Sequence, residues 1–232
     1  MNNLCFVQID EFYPINPAQT NSFNHYVRNF YIDGFGLDPS ICLLIDPSKI
    51  GLSKGETIGD YWLNDTVDLS LRYRNPKSNL EIKQKELLSR IDQWCMEYEG
   101  KIRKLGGIGF FLGDIGPDGH IGFNVKGSDH NSTTRLCPIN YETQAASASD
   151  IGGIEVARNR HVITIGLNTI TYNPDCTAII MAAGSAKADV VTDAIQSDIS
   201  VDIPASALRG LANARFYITE GAAKGLKQWN LK

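Results

Sequence analysis

Three short apolar runs, each followed by a polar loop, constrain the fold of this 232-residue chain most strongly. The runs cover residues 108–112, 161–165 and 177–183, and Gly, Ser, Thr or Asn follow each run before helix-compatible sequence resumes. Alternation of buried strands with helices is typical of a parallel sheet in an α/β protein. We therefore predict a three-layer, Rossmann-like α/β fold with a mainly parallel sheet.

The remaining elements are predicted from local patterns. Residues 4–9 indicate a first strand with Asp10 at its carboxyl end, because the chain becomes polar there. Apolar residues recur at helical spacing between 80 and 105, which predicts a core-packing helix ended by Gly106 and Gly107. Residues 36–78 predict a loop with at most two turns of structure. Shorter elements are expected as a helix over 186–196, a strand over 216–219 and a helix over 220–226.

Composition narrows the classes of function. We expect one domain over residues 1–232, because 43% apolar residues supply a core. A formal net charge of -4 disfavours nucleic acid as a partner. Five scattered cysteines without paired spacing favour reduced thiols over disulfides or a zinc site. The sequence contains neither an apolar run of membrane-spanning length nor a signal peptide pattern, so we expect no membrane partner and a cytoplasmic location.

The loops after the predicted strands hold the residues with chemical potential. Ligands of open parallel sheets bind beyond the carboxyl ends of the strands, so these loops are expected to line one crevice. The turn at 116–120 places Asp118 two residues before His120, where a carboxylate can orient an imidazole for proton transfer. The alternative is a turn in which Asp118 caps backbone N–H groups and His120 is only packed. Other polar residues of these loops are Asp10, Asn168, Thr169, Ser185 and Lys187.

Two motifs stand out in order along the chain, IDEFY at 9–13 and GDIGPDGHIGFN at 113–124. They resemble the D-E-Y element and the signature loop of the glucosamine-6-phosphate deaminase/isomerase family. The similarity continues through Thr164-Ile165-Gly166 and Gly184-Ser185-Ala186-Lys187. It covers about residues 1–35 and 98–219. We therefore expect a single glucosamine-6-phosphate isomerase-like domain over residues 1–232 that contains an insertion near 36–97.

The resemblance implies roles for particular residues. Asp10 matches the base that moves the C2 proton of the open-chain sugar to C1, His120 matches the group that opens the sugar ring, and Asp118 matches its supporting carboxylate. Lys187 matches a lysine that contacts the substrate phosphate. Further matches are the substrate-side positions Gly116, Gly119 and Asn124, and the allosteric or subunit-contact positions Ser128 and Arg135. Cys137 stands at another allosteric position, so we do not predict that regulation.

Three departures from the family pattern stand out. Val125 replaces a glutamate of the histidine relay, and Ser149 replaces an arginine that grips the phosphate, although Arg158 or Arg160 could substitute for it. The family's phosphate-cradling loop would precede residue 1, so we expect the fold to be N-terminally truncated relative to the family.

The resemblance implies an enzyme that converts glucosamine 6-phosphate to fructose 6-phosphate and ammonia without a metal or organic cofactor. Its expected ligand is a small-molecule sugar phosphate. Assembly into a homo-oligomer is left open. A 6-phosphogluconolactonase-like hydrolase is the nearest alternative, but that class follows its histidine with T-A-S-L-F-P, whereas this chain has Ile121-Gly122-Phe123-Asn124. A non-catalytic sugar-phosphate-binding remnant is the other alternative, motivated by the three departures.

Overall fold

The computed structural model describes residues 4–151 and 153–227, without the side chains of 146, 147, 149–151 and 154–156. The chain forms two compact units. The first comprises Met1–Lys101 and Thr134–Thr164, and the second comprises Ile102–Thr133 and Ile165–Lys232. A single domain with an insertion near 36–97 stays a prediction.

The α-helices of the described residues include one long helix at the predicted place. They are α1 (Phe23–Tyr26), α2 (Asp33–Phe35), α3 (Asn79–Lys104), α4 (Tyr141–Ile151), α5 (Ile154–Asn159), α6 (Leu167–Thr171) and α7 (Ala188–Gln196). π-Helical turns at Val27–Ile32 join α1 to α2, so residues 23–35 form one continuous helix. The 3-10 turns are Ile58–Asp60, Leu63–Asp65, Leu69–Arg72, Ser185–Lys187 and Pro204–Gly210. Residues 36–78 thus contain three short turns, more than the pattern predicted.

The strands of the described residues form two sheets of three strands each. They are β1 (Asp10–Tyr13), β2 (Phe110–Asp114), β3 (Arg135–Pro138), β4 (His161–Thr164), β5 (Thr177–Ala182) and β6 (Asn213–Ile218). The second unit holds a parallel sheet in the order β2-β5-β6. The first unit holds an antiparallel sheet in the order β1-β4-β3. The α/β class and the parallel sheet are confirmed, whereas the antiparallel sheet was not predicted. The run at 161–165 was expected in the parallel sheet but forms β4 of the antiparallel one, because it pairs with β1 and β3.

The first strand begins where it was predicted to end. β1 starts at Asp10, which pairs with Thr164 of β4, whereas the preceding residues make only an isolated bridge between Val7 and Leu43. All four residues of β1 are buried, so the strand lies inside the first unit. Asp10 is therefore a buried first residue of a strand, and the prediction that it stands at the carboxyl end of a strand over residues 4–9 was wrong.

Helix α3 packs its apolar stripe into the core as predicted. Leu87, Leu88, Ile91 and Tyr98 are all buried at helical spacing. Leu105 follows the last helical residue and is 57% exposed, so the stripe ends one turn earlier than the pattern indicated.

The parallel sheet is buried on one face only. Phe111, Ala178 and Ile180 point into the core of the second unit. The intervening residues of β2, β5 and β6 are more exposed and include Phe110, Leu112, Met181 and Tyr217. The helix expected over 220–226 is instead a series of turns. In the described part of the chain, no helix has the length and apolar character needed to cross a membrane.

Candidate active site

The loop after β2 holds Asp118 and His120 together. The Nδ1 atom of His120 contacts a carboxylate oxygen of Asp118, and both side chains are largely buried. The imidazole stacks on Phe123 with ring centroids 6.2 Å apart and planes 9° from parallel. A Cβ at Gly116 would lie 2.0 Å from the imidazole, so only glycine leaves room for the ring. The resemblance implied a substrate-side position for Gly116, and the close approach of His120 is a structural reason for a glycine there.

The backbone of this loop closes on itself. The Gly116 amide donates to the His120 carbonyl at 2.9 Å, and the Gly119 amide donates to the Gly116 carbonyl at 3.0 Å. Gly119 has φ of 81°, which favours glycine. The loop therefore fixes the backbone on both sides of Asp118.

Asn124 holds the end of the same loop. Its side chain is fully buried, and its amide donates to the carbonyls of Ile121 and Ile165 at 3.0 and 2.9 Å. These two hydrogen bonds use both N–H groups of the side-chain amide as donors. These contacts favour a positioning role for Asn124 over the direct substrate contact that the resemblance implied.

Lys187 reaches the carboxyl end of the parallel sheet. It ends the 3-10 turn after β5, and its Nζ lies 2.6 Å from Oδ2 of Asp114, the last residue of β2. The lysine side chain is 22% exposed and the aspartate side chain is 58% exposed. An ammonium at this sheet edge suits an anionic ligand, and Asp114 is a partner for it that sequence reasoning missed.

Asp10 lies in the first unit, where burial alters its acidity. Removal of its carboxyl from water, and then the nearby charge of Glu11, raises the pKa of Asp10 to about 8. A carboxyl with such a pKa can act as a base near neutral pH and can hold the proton it removes. Its position relative to His120 stays a prediction.

Glu11 is a second carboxylate that sequence reasoning quoted only as part of a motif. It is fully buried, and its two oxygens accept hydrogen bonds at the start of α1. The signal available in the sequence was Ser22, a good helix N-cap residue, which marks the start of the helix that holds Glu11.

Other residues of the predicted site have partners within their own unit. The Asn168 side chain accepts a hydrogen bond from Arg103 at 2.9 Å, and the Thr169 hydroxyl accepts one from the Gly166 amide at 3.1 Å. Arg160, suggested as a substitute phosphate ligand, donates to the Pro14 carbonyl and lies 3.2 Å from Asp65.

The two residues that match allosteric or subunit-contact positions belong to different units. Ser128 lies in the second unit, and Arg135 begins β3 in the first. The side chain of Ser149 lies outside the described residues. Within 4–151 and 153–227, no group of three His, Cys, Asp or Glu residues could hold a metal ion.

Comparison with curated proteins points to one family. A glucosamine-6-phosphate deaminase of Caenorhabditis elegans is 38% identical over 138 residues, 60% of this chain and 51% of that protein. A glucosamine-6-phosphate isomerase of Candida albicans is 33% identical over 66% of this chain and 60% of that protein. A glucosamine-6-phosphate deaminase of Borrelia hermsii is 30% identical over 208 residues, 82% of this chain and 76% of that protein. The chain spans about half to three-fifths of the first two relatives. No protein-family model matches it.

Solved structures support the fold. A monomeric glucosamine-6-phosphate deaminase matches 97% of this chain and 76% of that chain, with a TM-score of 0.71 and 23% identity. A 6-phosphogluconolactonase of Trypanosoma cruzi matches 94% of this chain and 71% of that chain, with a TM-score of 0.61 and 15% identity. At these identities the likeness concerns the fold alone. The sequence relatives favour the deaminase interpretation over the lactonase.

Proposed function

The chain belongs to the glucosamine-6-phosphate deaminase family, and we propose that it converts glucosamine 6-phosphate and water into fructose 6-phosphate and ammonia. The observation that carries this proposal is the contact of Asp118 with His120 in a loop beyond β2, with the ammonium of Lys187 at the same sheet end. A proton-exchanging imidazole and a cation for the phosphate are two groups that this reaction requires.

Ring opening is the first proposed step. The closed sugar must gain a proton on its ring oxygen and lose one from its C1 hydroxyl before C2 can react. His120 is suited to this exchange, because Asp118 fixes the orientation of its ring and the missing Cβ of Gly116 leaves room for the ring. Asp118 acts as the supporting carboxylate.

Transfer of a proton from C2 to C1 is the second step, and Asp10 is the proposed base. The carboxylate removes the proton bonded to C2 while the C1 carbonyl oxygen gains a proton. The removed proton is then returned to C1 as the amine nitrogen loses one, so the double bond moves from C1–O to C2–N. The amine-bearing carbon becomes an imine that water hydrolyses, so nitrogen leaves as ammonia and the water oxygen becomes the ketose carbonyl. Because Asp10 must be ionised to act, and its pKa is raised to about 8, the rate is expected to rise between pH 6 and 8.

Binding of the substrate is assigned to fewer groups. Lys187 contacts the phosphate, and the backbone at Gly116 and Gly119 lies beside His120. Ser128 and Arg135 match allosteric or subunit-contact positions, and we propose only the subunit contact for them, with a homo-oligomer as the corresponding assembly. A cytoplasmic location is proposed because the five cysteines lack the paired spacing of a disulfide framework.

The decisive experiment compares two aspartate substitutions. Asp10→Asn keeps the size of the side chain and removes the base, so C2 proton exchange into deuterated water and ammonia release should stop while sugar-phosphate binding survives. Asp175→Asn alters an exposed carboxylate in the turn before β5 and should leave ammonia release unchanged. Wild-type ammonia release by Asp10→Asn would overturn the role of Asp10. If the unaltered protein neither binds nor consumes glucosamine 6-phosphate, the proposed function itself is wrong.

A further inference from the structure

The Glu11 carboxylate ties strand β1 to the start of the helix over residues 23–35. Oε1 accepts the amides of Phe12 and Phe23 at 2.9 and 3.1 Å. Oε2 accepts the Ser22 hydroxyl and the Asn24 amide, each at 2.6 Å. Four donors therefore surround one carboxylate that is fully buried. Three of them come from the cap and first turn of the helix, where free N–H groups favour negative charge.

The same helix returns to the neighbouring residue Asp10 by a second route. The Asn24 side chain donates to Oε1 of Gln8 at 3.3 Å and to the Ile45 carbonyl at 2.9 Å. The Gln8 side chain in turn donates to the Asp10 carbonyl at 2.9 Å and accepts the Ile45 amide at 3.0 Å. Gln8, Asp10, Glu11 and Asn24 thus form a closed, buried circuit of hydrogen bonds and one peptide bond. Such a circuit leaves the backbone at Asp10 little freedom to rotate.

Consecutive residues of a strand point to opposite faces, so the direction of one side chain fixes the direction of the next. We infer that Glu11 is a positioning residue, which sets the direction of the Asp10 carboxyl by anchoring β1 to the amino end of the helix over residues 23–35. This inference rests on the proposed role of Asp10 as the base. Placement matters because a base displaced by about 1 Å can lose about 100-fold in rate.

Glu11 also acts on Asp10 through its charge. The charge of Glu11 raises the pKa of Asp10, second to burial as a cause. Tyr98 of α3 also interacts with Asp10, and burial keeps its pKa well above the ordinary value, so it stays neutral. A substitution of Glu11 by an uncharged residue therefore removes a charge close to Asp10.

Three variants separate the anchor from the charge. Glu11→Gln removes the charge and places an amide against backbone donors, so it should lower kcat about 10- to 100-fold while the KM for glucosamine 6-phosphate stays within about 2-fold. The rise of rate with pH should move to lower pH, because the charge of Glu11 raises the pKa of Asp10. Glu11→Asp keeps the charge but shortens the reach, so kcat should fall without that movement. Ser22→Ala removes one donor and should leave the pH profile in place.

The outcomes distinguish this inference from the proposed function. If Asp10→Asn is inactive while folded Glu11→Gln keeps the wild-type kcat and pH profile, the positioning role is overturned and the base assignment stands. If Asp10→Asn keeps wild-type activity, the base assignment has failed first. Should Glu11→Gln not fold, as judged by circular dichroism, Glu11→Asp decides, and an unchanged kcat in that variant contradicts the anchor.

Discussion

The ammonium of Lys187 is already occupied, because its Nζ lies 2.6 Å from Oδ2 of Asp114. These two residues are 73 positions apart and meet at the carboxyl end of the parallel sheet. A phosphate that binds Lys187 must compete with this carboxylate and meets its negative charge.

Asp114→Asn should therefore strengthen phosphate binding. Exposed ion pairs contribute about 0.2–1 kcal/mol, which corresponds to about 1.5- to 5-fold in affinity. Titration calorimetry with glucosamine 6-phosphate measures the change. Asp114→Glu retains the charge and serves as the matched control. Equal affinities of Asp114→Asn and the unaltered protein would show that the pair does not compete with the ligand.

Lys187→Ala should raise KM more than it lowers kcat, because a phosphate contact exists in both the ground state and the transition state. Steady-state ammonia release over a range of sugar-phosphate concentrations measures both constants. A fall in kcat at unchanged KM would instead place Lys187 in the chemical step.

Gly116→Ala should displace the imidazole of His120, because the added Cβ would lie 2.0 Å from that ring. We expect a loss of ammonia release of about 100-fold, the scale of a misplaced catalytic group. Gly109→Ala is the control, since a Cβ there meets nothing within 4 Å. Similar losses in both variants would indicate a general effect on the second unit. Wild-type activity in Gly116→Ala would argue against a role for the ring.

Asp10 should make stability depend on pH. In the folded protein its carboxyl stays protonated up to about pH 8, whereas in the unfolded chain it ionises above about pH 4. The folded state holds the extra proton between these values, so the free energy of unfolding falls as pH rises, by about 1 kcal/mol per pH unit. Asp10→Asn removes this effect, so its gain in stability over the unaltered protein should grow from pH 5 to pH 8. Urea unfolding at both pH values measures it, and a gain independent of pH would contradict the raised pKa.

Gly100→Ala tests helix α3 independently of the site. A Cβ at residue 100 meets nothing within 4 Å, so the substitution should stabilise the helix by about 1 kcal/mol. Gly107→Ala is the contrasting variant, because φ there is 87° and its Cβ would lie 2.9 Å from Tyr172. It should lower the melting temperature, whereas Gly100→Ala should raise it. A destabilised Gly100→Ala variant would contradict the described environment of α3.

Much of the site was predictable where its parts are close in sequence. Asp118 and His120 belong to one turn, and a spacing of two residues allowed their contact but left open a turn in which Asp118 only caps backbone N–H groups. The resemblance also singled out Gly116 and Gly119 as substrate-side positions. The sequence could not show that the imidazole itself occupies the space beside Gly116. The pairing of Asp114 with Lys187 was not predictable, because it depends on which strands are neighbours.

The sequence by itself determined the α/β class, the parallel strands β2 and β5, and helix α3. The reason is that the spacing of apolar residues along the chain shows which positions of a helix or strand are buried. Only the tertiary structure decided that β1 begins at Asp10 and runs antiparallel to β4, since strand direction depends on partners distant in sequence. It also decided that Glu11 is buried at the start of a helix. The sequence around Glu11 would read the same whether water or four buried hydrogen-bond donors surrounded its carboxylate. These surroundings determine the chemistry of the carboxylate.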